Sequence, residues 1–161
     1  MLKGLLIIDT SIMLEYLQVP DKSSNASGIT ERIDAMLKSN EYILFLPLAT
    51  IVETGNHISH VKSNNDVRFL IAQAFVSKVK MALEGTKPFK ALEWEAKEIG
   101  EWIDVFPIEA SKKISFGDCS IKAQFIKICK QFSGLPIKIW SKDDDLKNQK
   151  HNWNDPNWKD I

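Results

Sequence analysis

The tightest constraint on the fold is a short segment near the start of the chain. Leu5 to Ile8 is apolar at every position, and the run stops abruptly at Asp9. A strand with one wet face alternates apolar and polar residues, whereas an unbroken apolar run suits a strand buried on both faces of a parallel sheet. Tyr42–Leu46 reads as a second buried strand and Ile137–Trp140 as a later one. Val105–Ile108 reads as a short strand between them. Helical patterns fill the intervals. They cover about 12–18, where Thr10 or Ser11 can cap, 29–38, and Pro47 to about His60, because proline suits a helix start. Further helices are expected over Asp66–Leu83, Glu93–Ile103 and Gly117–Phe132. Strands alternating with helices predict an α/β fold with a three-layer α/β/α arrangement around a central parallel sheet of about four strands. The domain is expected over residues 1–146, with a polar tail, 147–161, that carries Trp153 and Trp158.

A length of 161 residues suits one domain with a substantial core. No stretch approaches the roughly 20 apolar residues that a bilayer span needs. The apolar run after Lys3 is interrupted by Asp9, so it reads as a strand and not as a secretory signal. Cys119 and Cys129 fall in one predicted helix, ten residues apart, and cannot pair there. They read as free thiols of a cytoplasmic protein, and two sulfurs are too few for a zinc site. No glycine-rich phosphate loop follows the first strand, which excludes the common nucleotide-binding motifs.

The zero net charge hides an uneven distribution. Residues 1–60 carry four basic and seven acidic groups, whereas residues 111–150 carry nine lysines and four aspartates. Lysines around a few acids suit a protein that attracts a polyanion. A solvated helix face is the plainer reading of the same lysines.

Acids stand near the carboxyl ends of the predicted strands, where open parallel sheets bind ligands. Asp9 directly follows the first strand, and Glu53 lies in the helix after the second. Asp118 opens a helix after Gly117, and Asp143 follows the last strand, behind Ser141. Each has a modest alternative role: Asp9 or Asp118 as a helix cap, Glu53 as a solvated residue, Asp143–Asp145 as a charged turn. Gathered in one place, carboxylates repel unless a cation neutralises them, and hard oxygen donors favour Mg²⁺ or Mn²⁺ over zinc.

The segments that carry these acids resemble the motifs of PIN-domain nucleases. Leu5-Leu6-Ile7-Ile8-Asp9-Thr10-Ser11 is similar to the family's opening strand and Asp-Thr-Ser. Pro47-Leu48-Ala49-Thr50-Ile51-Val52-Glu53 is similar to the helix that delivers its glutamate. Gly117-Asp118-Cys119-Ser120-Ile121 is similar to the third motif, and Ile139-Trp140-Ser141-Lys142-Asp143-Asp144-Asp145-Leu146 to the fourth. The resemblance spans residues 4–146 and implies a metal-dependent ribonuclease similar to VapC-type toxins. It implies Asp9, Glu53, Asp118 and Asp143 as catalytic and metal-holding residues, with Ser11, Ser141 and Asp145 as auxiliaries. It also implies RNA as substrate and an antitoxin protein as partner. Three features depart from the pattern. Only Glu109–Phe116 is left for the helix that usually precedes the third acid, Trp140 replaces a small aliphatic residue, and the tail has no counterpart.

Competing readings remain. A PIN-like module could bind RNA or protein without cutting. A phosphatase on the same sheet would want a second acid two residues after Asp9, where Ser11 stands. Glu53, His57 and His60 share a helical face, although the histidines read first as surface groups. Trp94 and Trp102 read as core or interface residues, and Trp153 and Trp158 as contacts with a partner or as a clamp for the tail. The apolar stripe over Asp66–Leu83 reads as core, with homodimer packing as its second explanation.

Overall fold

The computed structural model describes residues 1–156, 158 and 159. The strands are β1 (Gly4–Ile8), β2 (Tyr42–Leu46), β3 (Phe89–Ala91), β4 (Ile137–Trp140) and β5 (Lys150–His151). The helices are α1 (Thr10–Tyr16), α2 (Ala26–Ser39), α3 (Leu48–Ser59), α4 (Asn65–Leu83), α5 (Ala96–Ser111), α6 (Phe116–Gln131) and α7 (Asp144–Lys147). The sheet order is β3-β2-β1-β4-β5, parallel except for the antiparallel β5. The sheet therefore has five strands, one more than the sequence suggests, because Lys150–His151 in the tail pairs with β4.

Every residue of β1 is buried, as its composition requires. Leu6 and Ile8 face one core cluster with Ile12, Ile29, Ile33 and Trp140. Leu5 and Ile7 face the other, with Phe45, Ile121, Phe125 and Ile139. The strand thus divides two apolar layers, and the helices supply the outer wall of each. At roughly 1.5–3 kcal/mol for each large apolar side chain removed from water, these layers are the main stabilising term. The chain runs from β1 to β2 and β3 on one side, then returns to place β4 on the other. The β1–β4 boundary is therefore the point where strand order reverses, the usual position of a ligand crevice.

Two sequence expectations are corrected here. Val105–Ile108 is not a strand but the later part of α5, which runs on through Pro107. Glu95 and Glu98 form a reciprocal capping box that fixes this helix. The third strand is instead Phe89–Ala91, whose three residues are too few to show a periodicity. This restores a full helix, α5, between the third strand and Asp118. The second correction concerns Trp94, which is 41% exposed, while Trp102 is buried.

The stripe on α4 is core only in part. Ile71, Phe75 and Val79 pack against buried clusters, whereas Leu70 and Leu83 are exposed. The tail folds back on the domain. Trp153 joins the main core, and Trp158 stacks edge-on against both Trp140 and Trp153. Residues 157, 160 and 161, at the end of the expected tail, lie outside the described residues. Among the described residues, no helix is long and apolar enough to cross a membrane.

Candidate functional site

Asp9 sits at the carboxyl end of β1 and is the N-cap of α1, so the predicted caps Thr10 and Ser11 lie inside the helix. Its backbone N–H donates to the Trp140 carbonyl at 3.0 Å, which ties it to the end of β4. The carboxylate is buried and accepts from two hydroxyls. Ser11 Oγ donates to Asp9 Oδ2 at 2.9 Å and Ser141 Oγ at 2.7 Å. Ser141 Oγ in turn accepts the Asp143 N–H at 2.9 Å, and Ser11 Oγ accepts the Lys142 N–H at 2.9 Å. The hydroxyls thus orient Asp9 and pin the loop after β4 against α1. Charged acceptors make such hydrogen bonds stronger than neutral ones.

Glu53 is on the second turn of α3. Thr50, one turn earlier, donates to the Ile8 carbonyl at 2.8 Å and anchors this helix to the end of β1. Thr10 Oγ1 donates to Glu53 Oε2 at 2.9 Å and orients the carboxylate. The other oxygen points at α6. A Cβ added at Gly117 would lie 2.1 Å from Glu53 Oε1, so only glycine allows this approach. Asp118 does not cap α6. Ser115 does, accepting the Asp118 N–H at 3.1 Å, which places Asp118 in the first turn.

The acids converge electrostatically. The Asp118 carboxyl is pushed up to about 6 by burial and then by the charges of Asp9, Glu53 and Asp143. The contacts bring the four acid-bearing segments to one end of the sheet: Thr10 binds Glu53, Glu53 lies against Gly117 beside Asp118, and Ser141 binds both Asp9 and the Asp143 N–H. Asp143 is exposed and caps α7, with Oδ1 accepting the Asp145 N–H at 2.8 Å. Asp145 itself is exposed, and its charge is not among the main influences on Asp118. Asp144 pairs with Lys147 at the surface. Among the described residues, no three acidic, histidine or cysteine side chains stand in a ready-made metal-holding arrangement. The donor set is nevertheless all-oxygen and anionic, and its mutual repulsion is of the kind that a hard divalent cation relieves.

Sequence reasoning missed several supporting residues. Thr10, Thr50 and Gly117 stand inside the motif-like segments, but their roles come from contacts between distant segments, which no local pattern specifies. Glu15 and Lys142 form a second structure beside the acids. Glu15 is fully buried and accepts from the Ser24 and Asn25 N–H groups, from Ser24 Oγ and, at 2.7 Å, from Lys142 Nζ. Burial alone would push its carboxyl up, but Lys142 and the other donors hold it down at about 2.

The basic charge of residues 111–150 also changes meaning. Lys112, Lys127, Lys142 and Lys147 pair with acids of the chain, and the buried Lys138 donates to the Lys147 carbonyl at 2.6 Å. Five of the nine lysines in this segment are thus engaged with groups of the chain itself. Of the histidines near Glu53, His60 Nδ1 lies 2.7 Å from the Asn56 carbonyl of its own helix.

This architecture is a PIN-domain fold, of the kind seen in VapC20 and FitAcB. It is similar to FitAcB from Neisseria gonorrhoeae, with a TM-score of 0.53 and 12% identity over 86% of this chain and 87% of that one. It is also similar to VapC20 of Mycobacterium tuberculosis, a toxin that cleaves the sarcin–ricin loop. There the TM-score is 0.57, with 12% identity over 88% of this chain and 92% of that one. No family model matches the sequence, and no curated protein matches it.

Proposed function

We propose that the chain is a Mg²⁺- or Mn²⁺-dependent endoribonuclease and the toxin of a toxin–antitoxin pair. The observation that carries this reading is the meeting of the segments that bear Asp9, Glu53, Asp118 and Asp143, through Ser141 on Asp9 and the Asp143 N–H, Thr10 on Glu53, and the close approach of Glu53 to Gly117. The similarity to an RNA-cleaving toxin supports it. Asp9, Glu53 and Asp118 would hold the cation, and Asp143 would complete the set. A bound divalent ion supplies activation of water and neutralisation of charge on the phosphate. The chain's own residues supply position. Ser11 and Ser141 fix Asp9, Thr10 fixes Glu53, and the open position of Asp143 leaves room for a phosphodiester to approach. In the reaction a water oxygen forms a bond to phosphorus, the bond from phosphorus to a ribose oxygen breaks, and that oxygen leaves with a proton.

The test is cleavage of single-stranded RNA with and without Mn²⁺ by the wild type, Asp9→Asn and Asp118→Asn. Metal-dependent cutting by the wild type that both changes abolish is expected. Cutting that survives in both variants overturns the reading. The second reading, a PIN-like module that binds RNA or protein without cutting, is favoured by the lack of a ready-made three-residue metal arrangement among the described residues. Calorimetric titration with Mn²⁺ separates the two, because the module has no site for Glu53→Gln to remove. An antitoxin partner would relieve growth arrest when the two genes are expressed together.

A further inference from the structure

A cavity of about 250 Å³ opens beside the acids, between α3, α5 and α6. It shares Glu53 and Gly117 with the acidic site, so anything held in it lies next to the carboxylates. Val52, Ile99, Trp102 and Phe116 make most of its wall apolar. Gln124 is the exception. It is 1% exposed, lines the cavity, and its Nε2 has no hydrogen-bond partner. A buried amide donor without an acceptor is costly, and native proteins leave few of them. The acid mechanism gives Gln124 no task, and its neighbours in the cavity wall are mainly hydrocarbon.

We propose that this cavity is a subsite for one unpaired nucleobase of the RNA, next to the bond to be cut, and that Gln124 reads that base. This rests on the ribonuclease reading above. The size argues for a single base, because pockets for drug-sized ligands run from about 300 to 1,000 Å³. The chemistry argues for a base as well. An apolar slot with aromatic side chains suits a flat ring, as in other proteins that recognise unstacked RNA bases. One buried N–H donor at the wall then pairs with a carbonyl or ring nitrogen acceptor, and the shape of the slot decides which base places such an atom opposite it. Gly117 belongs to both places: its lack of a side chain admits Glu53, and its backbone lines the cavity. Gln124 is thus a specificity residue that touches substrate, nine residues after the cap Ser115 on the helix that also carries Asp118.

Two measurements test this on the full chain. First, the four ribonucleoside 5′-monophosphates, with ribose 5-phosphate as the base-free control, are titrated while the indole resonance of Trp102 is followed. Trp102→Phe assigns that resonance. At least one nucleotide should shift it, ribose 5-phosphate should not, and Gln124→Leu should weaken the binding about tenfold, the loss expected for one hydrogen bond to a buried donor. Second, cleavage ends from a randomised single-stranded RNA pool are sequenced for wild type and Gln124→Leu with Mn²⁺. The wild type should prefer particular bases at one position beside the cut, and Gln124→Leu should flatten that preference. Because leucine removes an unsatisfied donor, this variant should fold at least as well as wild type. A Trp102 signal that ignores all four bases, or that responds equally in Gln124→Leu, overturns the subsite. So does an unchanged base preference, with the ribonuclease reading left intact. If no RNA is cut, the ribonuclease reading falls, and the nucleotide titration still decides the subsite.

Discussion

Glu15 and Asp118 are both carboxylates set close to other charges, yet the fold treats them in opposite ways. Glu15 is fully buried but receives backbone N–H groups, a hydroxyl and the Lys142 ammonium, and its carboxyl is held at about 2. Asp118 has its own backbone N–H bound to Ser115, faces three other carboxylates, and is pushed up to about 6 by burial and those charges. The first arrangement is complete without help, because donors surround the charge. The second is incomplete, because neutral hydroxyls and other acids surround it and no cation is among the main charges that act on Asp118. Under the proposed function, a bound cation would supply the missing positive charge. Lys142 could in principle have neutralised the acids, since its backbone N–H bonds Ser11 beside Asp9, but its ammonium is held by Glu15.

The largest effect should come from breaking the complete side. Lys142→Met strands a buried carboxylate, and loss of one partner of a buried pair costs about 3–5 kcal/mol. Chemical denaturation measures this, and a midpoint equal to wild type would end the claim that Glu15 is structural. The acid limb gives a second readout. The folded carboxyl titrates at about 2 and an unfolded one near 4.3, so this stability is present above about pH 4.3 and is lost as pH falls towards 2. Glu15→Gln should lack that slope.

Next is the incomplete side. Asp9→Asn should lower RNA cutting by at least about 100-fold, since a catalytic metal contributes several kcal/mol to transition-state stabilisation. Initial rates at saturating Mn²⁺ would show this, and a loss below tenfold would remove Asp9 from the metal set.

The pH dependence of Asp118 should have the opposite sign to that of Glu15. The folded state binds this proton more tightly than the unfolded chain, whose aspartates titrate near 3.9. Stability without metal should therefore fall as pH rises from about 4 to beyond 6. The full gap corresponds to about 3 kcal/mol at 1.36 kcal/mol per pKa unit, and partial solvent screening reduces it to about 1–2 kcal/mol. Asp118→Asn should melt higher than wild type at pH 7 without metal, and added Mn²⁺ should raise the wild type but not the variant. Equal melting temperatures in all four conditions would remove the contrast between the two carboxylates.

The smallest and sharpest effect is Gly117→Ala. Alanine favours a helix over glycine by up to about 1 kcal/mol, so the fold should hold or gain. The new Cβ meets Glu53 Oε1 at 2.1 Å, so Glu53 must move, and cutting should fall about tenfold. A variant that is both more stable and fully active would show that Glu53 does not need its present position.

The legible part of the site was the part carried by local sequence. Asp9, Asp118 and Asp143 each stand at a strand or helix boundary that composition marks, and Glu53 follows a proline start by a countable number of residues. What supports them was not legible. Thr10 meets Glu53 across 43 positions, and Ser141 meets Asp9 across 132. Such contacts leave no trace in periodicity. The third strand was missed because Phe89–Ala91 is short and half-exposed, while Val105–Ile108 imitates a strand by being apolar inside a helix fixed by a capping box upstream.

By itself the sequence determined that Leu5–Ile8 would be a strand buried on both faces, since no other placement hides four large apolar side chains in a row. It also determined that acids would follow such strands. Only the tertiary structure decided which acids are satisfied and which are left repelling one another. Burial and a neighbour's charge depend on distances in space, and those arise only when β4 is laid beside β1 and brings Ser141, Lys142 and Asp143 to the end of the first strand.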